Sequence, residues 1–156
     1  MYRPEFMKSG MHTMLVRATD KSGNSSGDSD YRVNFEVITE STITDVLNYP
    51  NPFSTKTHFV FTLTGSKVPD YMKIQIMTIS GKIVKEITKM ELGPLRVGRN
   101  ITDYYWDGTD MYGDRLANGI YLYRVIAKID GESIEKRETA AGKYFKQEFG
   151  KMYLMR

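Results

Sequence analysis

The chain has no cysteine and only two histidines, and it contains no long uninterrupted run of apolar residues. The absence of cysteine excludes disulfide bonds, thiolate zinc sites and a cysteine nucleophile within these 156 residues. A helix that crosses a bilayer needs about 20 consecutive, mostly apolar residues. The sequence therefore predicts no membrane-spanning segment.

Charge of one sign is also lacking. The chain has 22 Lys and Arg residues against 19 Asp and Glu residues, which gives a net charge of +3, and the two signs are interspersed. A nucleic-acid-binding surface needs Lys and Arg clustered on one face. We therefore predict no nucleic-acid partner. The length allows one substantial core and a small second unit.

The motifs of several enzyme classes are missing. The sequence has neither the Gly-rich phosphate-binding patterns nor the Gly-x-Ser-x-Gly nucleophile elbow. His12 and His58 are far apart and have no partner at a motif spacing, so both are predicted to lie on strand surfaces. The sequence predicts no catalytic residue, no cofactor and no enzyme activity.

The first part of the chain is predicted to form a β-hairpin. Residues 12–18 and 31–38 are strand-like, and in the second segment Val33, Phe35 and Val37 alternate with polar residues. Residues 19–30 between them are rich in Asp, Asn, Ser and Gly. A lone hairpin is only marginally stable in water. Residues 1–38 are therefore interpreted as the C-terminal hairpin of a truncated preceding sandwich domain, and residues 39–46 as an extended linker.

From residue 47 onward, short strands alternate with turns, which predicts an all-β antiparallel sandwich over residues 47–156. The predicted strands are 58–63, 73–79, 83–87, 100–106, 119–127 and 152–155. Gly81 is expected to take a positive φ in the turn between the second and third of these strands. The predicted core residues are Phe59, Phe61, Ile74, Ile76, Trp106 and Leu122.

Two further segments are unusual. Residues 131–150 are rich in charge and contain Thr139-Ala140-Ala141-Gly142, a weak candidate for a short helix. Pro50 and Pro52 lock φ and remove backbone donors, so residues 49–53 cannot form a regular central strand. We predict a rigid extended segment with Tyr49 and Phe53 as core anchors, and a direct recognition role as the alternative.

Clustered acids and aromatics suggest two kinds of ligand site. Asp107, Asp110 and Asp114 do not have the spacing of a twelve-residue calcium loop, so side-chain turns are the simpler interpretation, as they are for Asp20 and its neighbours. No metal site is predicted. The aromatics that could form a carbohydrate platform are Tyr104, Tyr105, Trp106, Tyr112, Tyr121, Tyr123, Tyr144, Phe145 and Phe149. At alternating strand positions most of them are expected in the core.

One ordered series of motifs carries a family resemblance. It runs Asn48-Tyr49-Pro50-Asn51-Pro52-Phe53, Ser80-Gly81-Lys82, Trp106-Asp107-Gly108, Ala117-Asn118-Gly119-Ile120-Tyr121 and Lys151-Met152-Tyr153-Leu154-Met155-Arg156. From about Asp45 to Arg156 the chain resembles the C-terminal sorting domain of the type IX secretion system of Bacteroidetes-type bacteria. The motif residues are Pro50, Asn51, Pro52, Phe53, Gly81, Trp106, Asp107, Gly108, Asn118, Gly119 and Tyr121. The candidate recognition residues are Lys151, Met152, Tyr153, Leu154, Met155 and Arg156, of which Lys151 and Arg156 are expected to face solvent.

The resemblance implies an immunoglobulin-like sandwich, related to that of flagellar hook-capping proteins, which directs a larger protein through the type IX outer-membrane translocon. The implied partners are the translocon, its outer-membrane shuttle protein and a sortase. The implied location is the periplasm in transit, then the outer membrane, the cell surface or the medium. The longer linkers, around 91–99 and 131–150, resemble those of large gingipain-like or sortase-like proteins, whose catalytic domain would lie upstream. An immunoglobulin-like adhesion or carbohydrate-binding module is the alternative.

Overall fold

The computed structural model describes residues 7–25, 31–136, 145–146 and 149–156. The chain divides into two compact units, residues 1–40 and 41–156. None of the helices in the described ranges is long and apolar enough to cross a membrane.

The first unit contains the predicted hairpin. Strands β1 (Gly10–Val16) and β2 (Tyr31–Val37) pair antiparallel, with His12 opposite Phe35. The apolar side chains of Val33, Phe35 and Val37 share one half-buried face, as the alternation predicted. The hairpin prediction is confirmed. Its origin in a truncated upstream domain stays a prediction.

The second unit is built from two sheets. Its strands are β3 (Thr42–Tyr49), β4 (Thr57–Leu63), β5 (Tyr71–Thr78), β6 (Ile83–Thr88), β7 (Gly98–Trp106), β8 (Gly119–Ile129), β9 (Glu132–Ser133), β10 (Glu135–Lys136), β11 (Phe145–Lys146) and β12 (Phe149–Leu154), with one short helix, α1 (Lys89–Leu92). The first sheet has the order β10-β3-β4-β7 and the second has the order β11-β12-β8-β5-β6, with β9 paired to β8. All the longer pairs are antiparallel, whereas β10 is parallel to β3. The predicted all-β antiparallel sandwich is confirmed.

The core lies between the inner faces of the two sheets. Phe59 of β4 meets Tyr123 of β8 edge-on, with ring centroids 5.2 Å apart. The predicted core positions Phe59, Phe61, Ile74, Ile76 and Trp106 are fully buried.

The prediction for Leu122 was wrong, because Leu122 is only half-buried on the outer face. Both parities of β8 are apolar, and the large rings of Tyr121 and Tyr123 take the inner positions, followed by Val125 and Ala127. Strand β8 is a central strand of its sheet, since it pairs with β5 on one side and with β12 on the other.

The linker predicted over residues 39–46 needs correction. Residues from Thr42 onward belong to β3, and Ile43 and Val46 are buried in the core. The pairing of β3 with β4 shifts register between Thr44 and Leu47, and Asp45 has a φ of 54°. This bulge breaks the period-two pattern, so the apolar positions do not alternate as in a regular strand.

The described parts of residues 131–150 include short strand pairings. Strand β9 folds back on the end of β8, and β11 pairs with the start of β12. The helix considered around 139–142 lies outside the described residues.

Two isoleucines can test which residues of β5 and β8 face the core and which face outward. Ile74 is fully buried, whereas Ile126, which pairs with the neighbouring Lys73, is half-buried on the outer face. We expect Ile74→Ala to lower the free energy of unfolding by about 2–5 kcal/mol, because it leaves a cavity. Ile126→Ala should cost about 1 kcal/mol. Denaturant titration followed by the fluorescence of Trp106, the single tryptophan, measures both. Equal losses would contradict the assigned faces.

Candidate functional site

The candidate recognition residues form the end of the second sheet. Met152 and Leu154 of β12 are fully buried in the core, whereas Lys151, Tyr153 and Met155 point outward and are exposed. This alternation follows from the period of a strand with one buried face. Met152 and Leu154 are therefore anchors. The outward side chains of Lys151, Tyr153 and Met155, which we call the exposed row, are the ones that a partner can reach.

One edge of β12 pairs with β8. The register places Gly150 opposite Tyr123, Met152 opposite Tyr121 and Leu154 opposite Gly119. Gly150 has to be a glycine here, because a Cβ at this position would overlap the ring of Tyr123. The backbone of Gly119, one of the motif glycines, thus forms the end of the β8 edge.

The other edge of β12 is covered by the Asn51-Pro52-Phe53 motif. The Asn51 side-chain amide donates to the Lys151 carbonyl at 2.9 Å and its oxygen accepts the Tyr153 N–H at 3.0 Å. The Phe53 N–H donates to the Tyr153 carbonyl, and the Met155 N–H donates to the Phe53 carbonyl. The motif therefore pairs with β12 as a short strand would. The Asn51 side-chain amide takes the place of the first backbone peptide group, and the Phe53 backbone supplies the next bonds.

The Asn118 side chain repeats this arrangement on the β8 side. Its amide donates to the Arg156 carbonyl at 3.0 Å, and its oxygen accepts the Arg156 N–H at 2.9 Å. The paired backbone N–H and carbonyl groups of residues 151, 153 and 155 thus point toward the segment 51–53, and those of residue 156 point toward Asn118. This alternation is that of a continuous strand. Both edges of the chain end are occupied.

The guanidinium of Arg156 is bound to backbone carbonyls. It donates to Leu116 at 2.9 Å, to Asp107 at 2.6 Å and to Gly108 at 3.2 Å. Arg156 is exposed to solvent, as expected, but its guanidinium is also held by these three carbonyls. Three carbonyls converge because the loops after β7 and before β8 meet there, which no spacing in the sequence reveals. Lys151 does face solvent, as predicted.

The Trp106-Asp107-Gly108 motif links this chain end to the core. Gly108 has a φ of 76°, and a Cβ there would lie 2.8 Å from Leu154 Cδ2 and 2.7 Å from Arg156 Nη2. The buried Trp106 ring packs on Phe53 and Tyr121, with centroids 5.6 and 5.4 Å away, and its Nε1 donates to the Thr109 carbonyl. Only glycine allows both the backbone conformation and the close approach of the last residues.

Together these elements form what we call the C-terminal groove: the strand β8, the segment 51–53 and the loop residues 107–108 and 116–118. Every motif residue singled out by the sequence lies in or beside this groove except Gly81. Gly81 has a φ of 86° in the β5–β6 turn, as predicted, and serves that turn alone.

The segment before the groove is fixed by a buried polar cluster. Asn48 donates to Thr57 Oγ1 and to the Pro50 carbonyl, and Thr57 donates to the same carbonyl at 2.8 Å. The peptide bonds that precede Pro50 and Pro52 are cis. Phe53 is a core anchor as predicted, but the prediction for Tyr49 was wrong, since its side chain is 71% exposed. Tyr49 pairs with His58 on the outer face of β3.

The acid-rich loop forms side-chain turns, as the sequence predicted. Asp110 Oδ1 accepts the N–H groups of Tyr112 and Asp114, and Asp107 Oδ1 accepts both the N–H and the hydroxyl of Thr109. Burial raises the pKa of Asp107, but the Thr109 hydrogen bonds outweigh it and hold that pKa below its usual value. In the described ranges, no group of three or more metal-ligating side chains comes together.

The remaining candidates do not converge on the groove. His58 Nδ1 lies 2.9 Å from the Thr102 carbonyl, and its ring meets Tyr105 edge-on. His12 belongs to the first unit and stacks on Phe35. Of the aromatic series, Trp106, Tyr121 and Tyr123 are core residues, whereas Tyr105 and Tyr112 are exposed. The side chains of Tyr144 and Phe145 lie outside the described residues.

Sequence reasoning missed two contributors to the groove. Leu116 supplies a carbonyl to Arg156, a role that its side chain does not signal. Gly150 had a visible signal, since a glycine within a strand often marks a close approach of another chain segment.

No protein-family model matches the chain, and no curated protein is significantly similar to it. Among solved structures, the chain is similar to the crystal structure of dimeric latent PorU from Porphyromonas gingivalis, with a TM-score of 0.55 and 20% sequence identity over 96% of this chain. The matched part makes up 12% of that PorU chain. At this identity the likeness shows a shared fold.

The fit of Gly108 against the last residues can be tested with Gly108→Ala and a matched control, Gly113→Ala. Both glycines have a positive φ, but an added Cβ at Gly113 meets nothing within 4 Å. Placing alanine at a positive φ costs about 1–2 kcal/mol in backbone conformation, and this cost is common to both variants. We expect Gly108→Ala to lose about 1–3 kcal/mol more, from overpacking against Leu154 and Arg156. Thermal or denaturant unfolding measures the difference, and equal losses would contradict the close approach.

The Asn51 bridge can be tested with Asn51→Asp. The carboxylate still accepts the Tyr153 N–H but has no donor for the Lys151 carbonyl, so we expect a loss of about 1–3 kcal/mol. Hydrogen exchange should become faster at the Tyr153 and Met155 amides. The amides of β5 provide the control within the same molecule. Unchanged exchange at residues 153 and 155 would refute the role given to this side chain.

Proposed function

We propose that residues 41–156 are a type IX secretion sorting domain, which directs a larger protein through the outer-membrane translocon. The observation that carries the proposal is the convergence of the motif series on one segment. Asn51, Phe53, Gly108 and Asn118 come from separate parts of the chain, and each of them contacts residues 151–156. These contacts hold the chain end in one defined conformation, which a segment that is recognised by a transport partner requires.

The partner is proposed to bind the exposed row. Since β8 covers one edge of β12 and the segment 51–53 covers the other, a partner cannot add a strand to the docked end. Lys151, Tyr153 and Met155 remain accessible as side chains. They offer one cation, one phenol and one thioether at alternate strand positions.

The comparison with PorU supports the secretion context. PorU is related to type IX secretion, and the likeness covers a small part of a much longer chain. We propose that this domain likewise belongs to a larger exported protein, which passes through the periplasm to the outer membrane, the cell surface or the medium. The proposed partners are the translocon, its shuttle protein and a sortase.

We propose that the chain itself is not an enzyme. Its two histidines lie in different units, and His58 is engaged with a backbone carbonyl and a tyrosine edge. Neither forms part of a described nucleophile and base pair.

A carbohydrate-binding module is a second candidate, and one observation favours it. A surface cavity of about 330 Å³ is lined by Asp103, Tyr104, Tyr105, Asp107 and Thr109. Tyr105 is about half exposed, and Lys56 Nζ lies 4.6 Å from its ring centroid. An exposed aromatic ring offers a flat apolar surface, and carboxylates beside it offer hydrogen-bond acceptors for hydroxyl groups. An export assay separates the two candidates, because a sugar-binding module has no reason to depend on β12 side chains for transport.

We expect deletion of residues 151–156 to abolish surface display of a reporter that carries a signal peptide and this complete chain at its C-terminus, in a type IX-competent bacterium. The deletion removes two buried anchors and leaves backbone groups of β8 unpaired. Surface labelling and fractionation measure display. Normal display of the deletion variant would refute the sorting role.

Point variants separate recognition from folding. Arg156→Ser removes the donors to three carbonyls, and we expect a loss of about 1–3 kcal/mol in stability. Lys151→Ser should leave the melting temperature unchanged and lower display. Lys82→Ser, in the exposed β5–β6 turn, is the matched control and should affect neither. If Lys151→Ser and Lys82→Ser display equally well, Lys151 is not a recognised residue.

A further inference from the structure

The pairing of β7 with β4 is interrupted near the end of β7. Residues 102–104 of β7 face the single residue Phe59 of β4. The buried Thr102 side chain fills the break, because its hydroxyl accepts the Phe59 N–H at 3.0 Å and donates to the Tyr104 carbonyl at 2.8 Å. Asp103 and Tyr104 therefore leave the regular ladder, as the extra residues of a β-bulge do.

This bulge forms one wall of the surface cavity of about 330 Å³ that Asp103, Tyr104, Tyr105, Asp107 and Thr109 line. A Cβ at Gly93, which has a φ of 87°, would overlap the Asp103 carboxylate, so the glycine after α1 leaves room for this side chain. Within the part of the chain that the structure describes, the exposed Asp103 carboxylate forms no hydrogen bond and no ion pair. The cavity thus contains a carboxylate that is open to a ligand.

The polar groups of the cavity are mostly acceptors. Asp107 Oδ1 accepts both the N–H and the hydroxyl of Thr109, so the donors of Thr109 are already used. Apart from the phenols of Tyr104 and Tyr105, the lining side chains then offer carboxylate oxygens and no N–H donor. A sugar hydroxyl both donates and accepts, whereas the cations of Lys and Arg only donate. The cavity therefore matches a basic side chain better than a neutral sugar.

Two further observations show that this region favours positive charge. The Lys56 ammonium already lies 4.6 Å from the centroid of the Tyr105 ring, within the range of a cation–π contact. Burial, followed by the negative charges of Asp107 and Glu91, raises the pKa of Tyr104 to about 12. Negative charges that disfavour a phenolate also favour a bound cation.

We propose that this cavity binds a basic side chain of a peptide or protein partner, with arginine as the best fit. A planar guanidinium can stack on a tyrosine ring while it donates to a carboxylate. Tyr105 supplies the half-exposed ring and Asp103 the carboxylate. The lining residues belong to β7 and the loop after it, so this site uses none of the side chains of the exposed row.

The test titrates the complete, isotope-labelled chain with N-acetylarginine amide and follows the backbone amides by NMR. We expect saturable shifts at residues 103–109 with a Kd on the order of 1 mM, as suits one small cation. The amides of β5 should not shift. N-acetylcitrulline amide has nearly the same shape without the charge, and it should bind at least about tenfold more weakly.

Two variants of the chain provide a matched pair. Asp103→Asn removes the carboxylate charge at nearly constant shape and should raise the Kd about tenfold. Asp114→Asn changes the net charge equally, but Asp114 does not line the cavity, so the Kd should stay within about twofold. Both side chains are exposed, and both variants should therefore fold as the parent chain does.

Three results would overturn the proposal. The first is the absence of saturable shifts at residues 103–109 up to about 50 mM N-acetylarginine amide. The second is equal binding of the arginine and citrulline probes, or equal binding by Asp103→Asn and Asp114→Asn. The third is saturable binding of methyl glucoside, the neutral sugar probe, at the same amides without binding of the arginine probe, which would assign the cavity to sugars.

Discussion

The second unit depends on one constraint: the backbone groups of its last residues must be paired on both edges of β12. The last residues of a chain are ordered only where they are tied to the rest of the fold. Here the second edge is supplied by the Asn51 amide and the Phe53 backbone, and the chain end is extended by the Asn118 amide. Side-chain amides can do this because each carries an N–H donor beside a carbonyl acceptor, as a peptide group does.

The same contacts connect the chain end to the core. Phe53, which pairs with the terminal strand through its backbone, packs through its ring on Trp106. Trp106 in turn packs on Tyr121, which lies opposite Met152 in the neighbouring strand. Removing the terminal strand would therefore uncover the centre of the aromatic core. The stability of the core and the presentation of the side chains in the exposed row are therefore coupled through these three aromatic rings.

Two loops, one in each unit, share one local design. In the first, Asp20 Oδ1 accepts the N–H groups of Ser22 and Asn24, and in the second, Asp110 Oδ1 accepts those of Tyr112 and Asp114. Each loop is closed by an antiparallel bridge, between Thr19 and Ser25 and between Thr109 and Arg115. Both have the sequence Thr-Asp-x-x-Gly, with a positive φ at the glycine. Such a loop is encoded locally, because all of its bonds form within a few residues.

Local pattern was also sufficient for much of the second unit. The alternate positions of Phe59 and Phe61 predicted the inner face of β4, and Ser80-Gly81-Lys82 predicted the turn between β5 and β6. The pattern failed where it was ambiguous or interrupted. Both faces of β8 are apolar, so Leu122 could not be placed, and the bulge at Asp45 concealed the start of β3.

The sequence by itself determined most of the longer strands and the β5–β6 turn, and it marked the motif residues of the candidate site. Only the tertiary structure decided what those residues do. Asn51, Gly108 and Arg156 are separated by long stretches of chain, and their shared role depends on the stacking of two sheets that bring three loops to one chain end. The tertiary structure also decided that the Tyr49 side chain is exposed and that the Arg156 guanidinium donates to loop carbonyls. Contacts between distant residues are set by the packing of the sheets, which local periodicity does not encode.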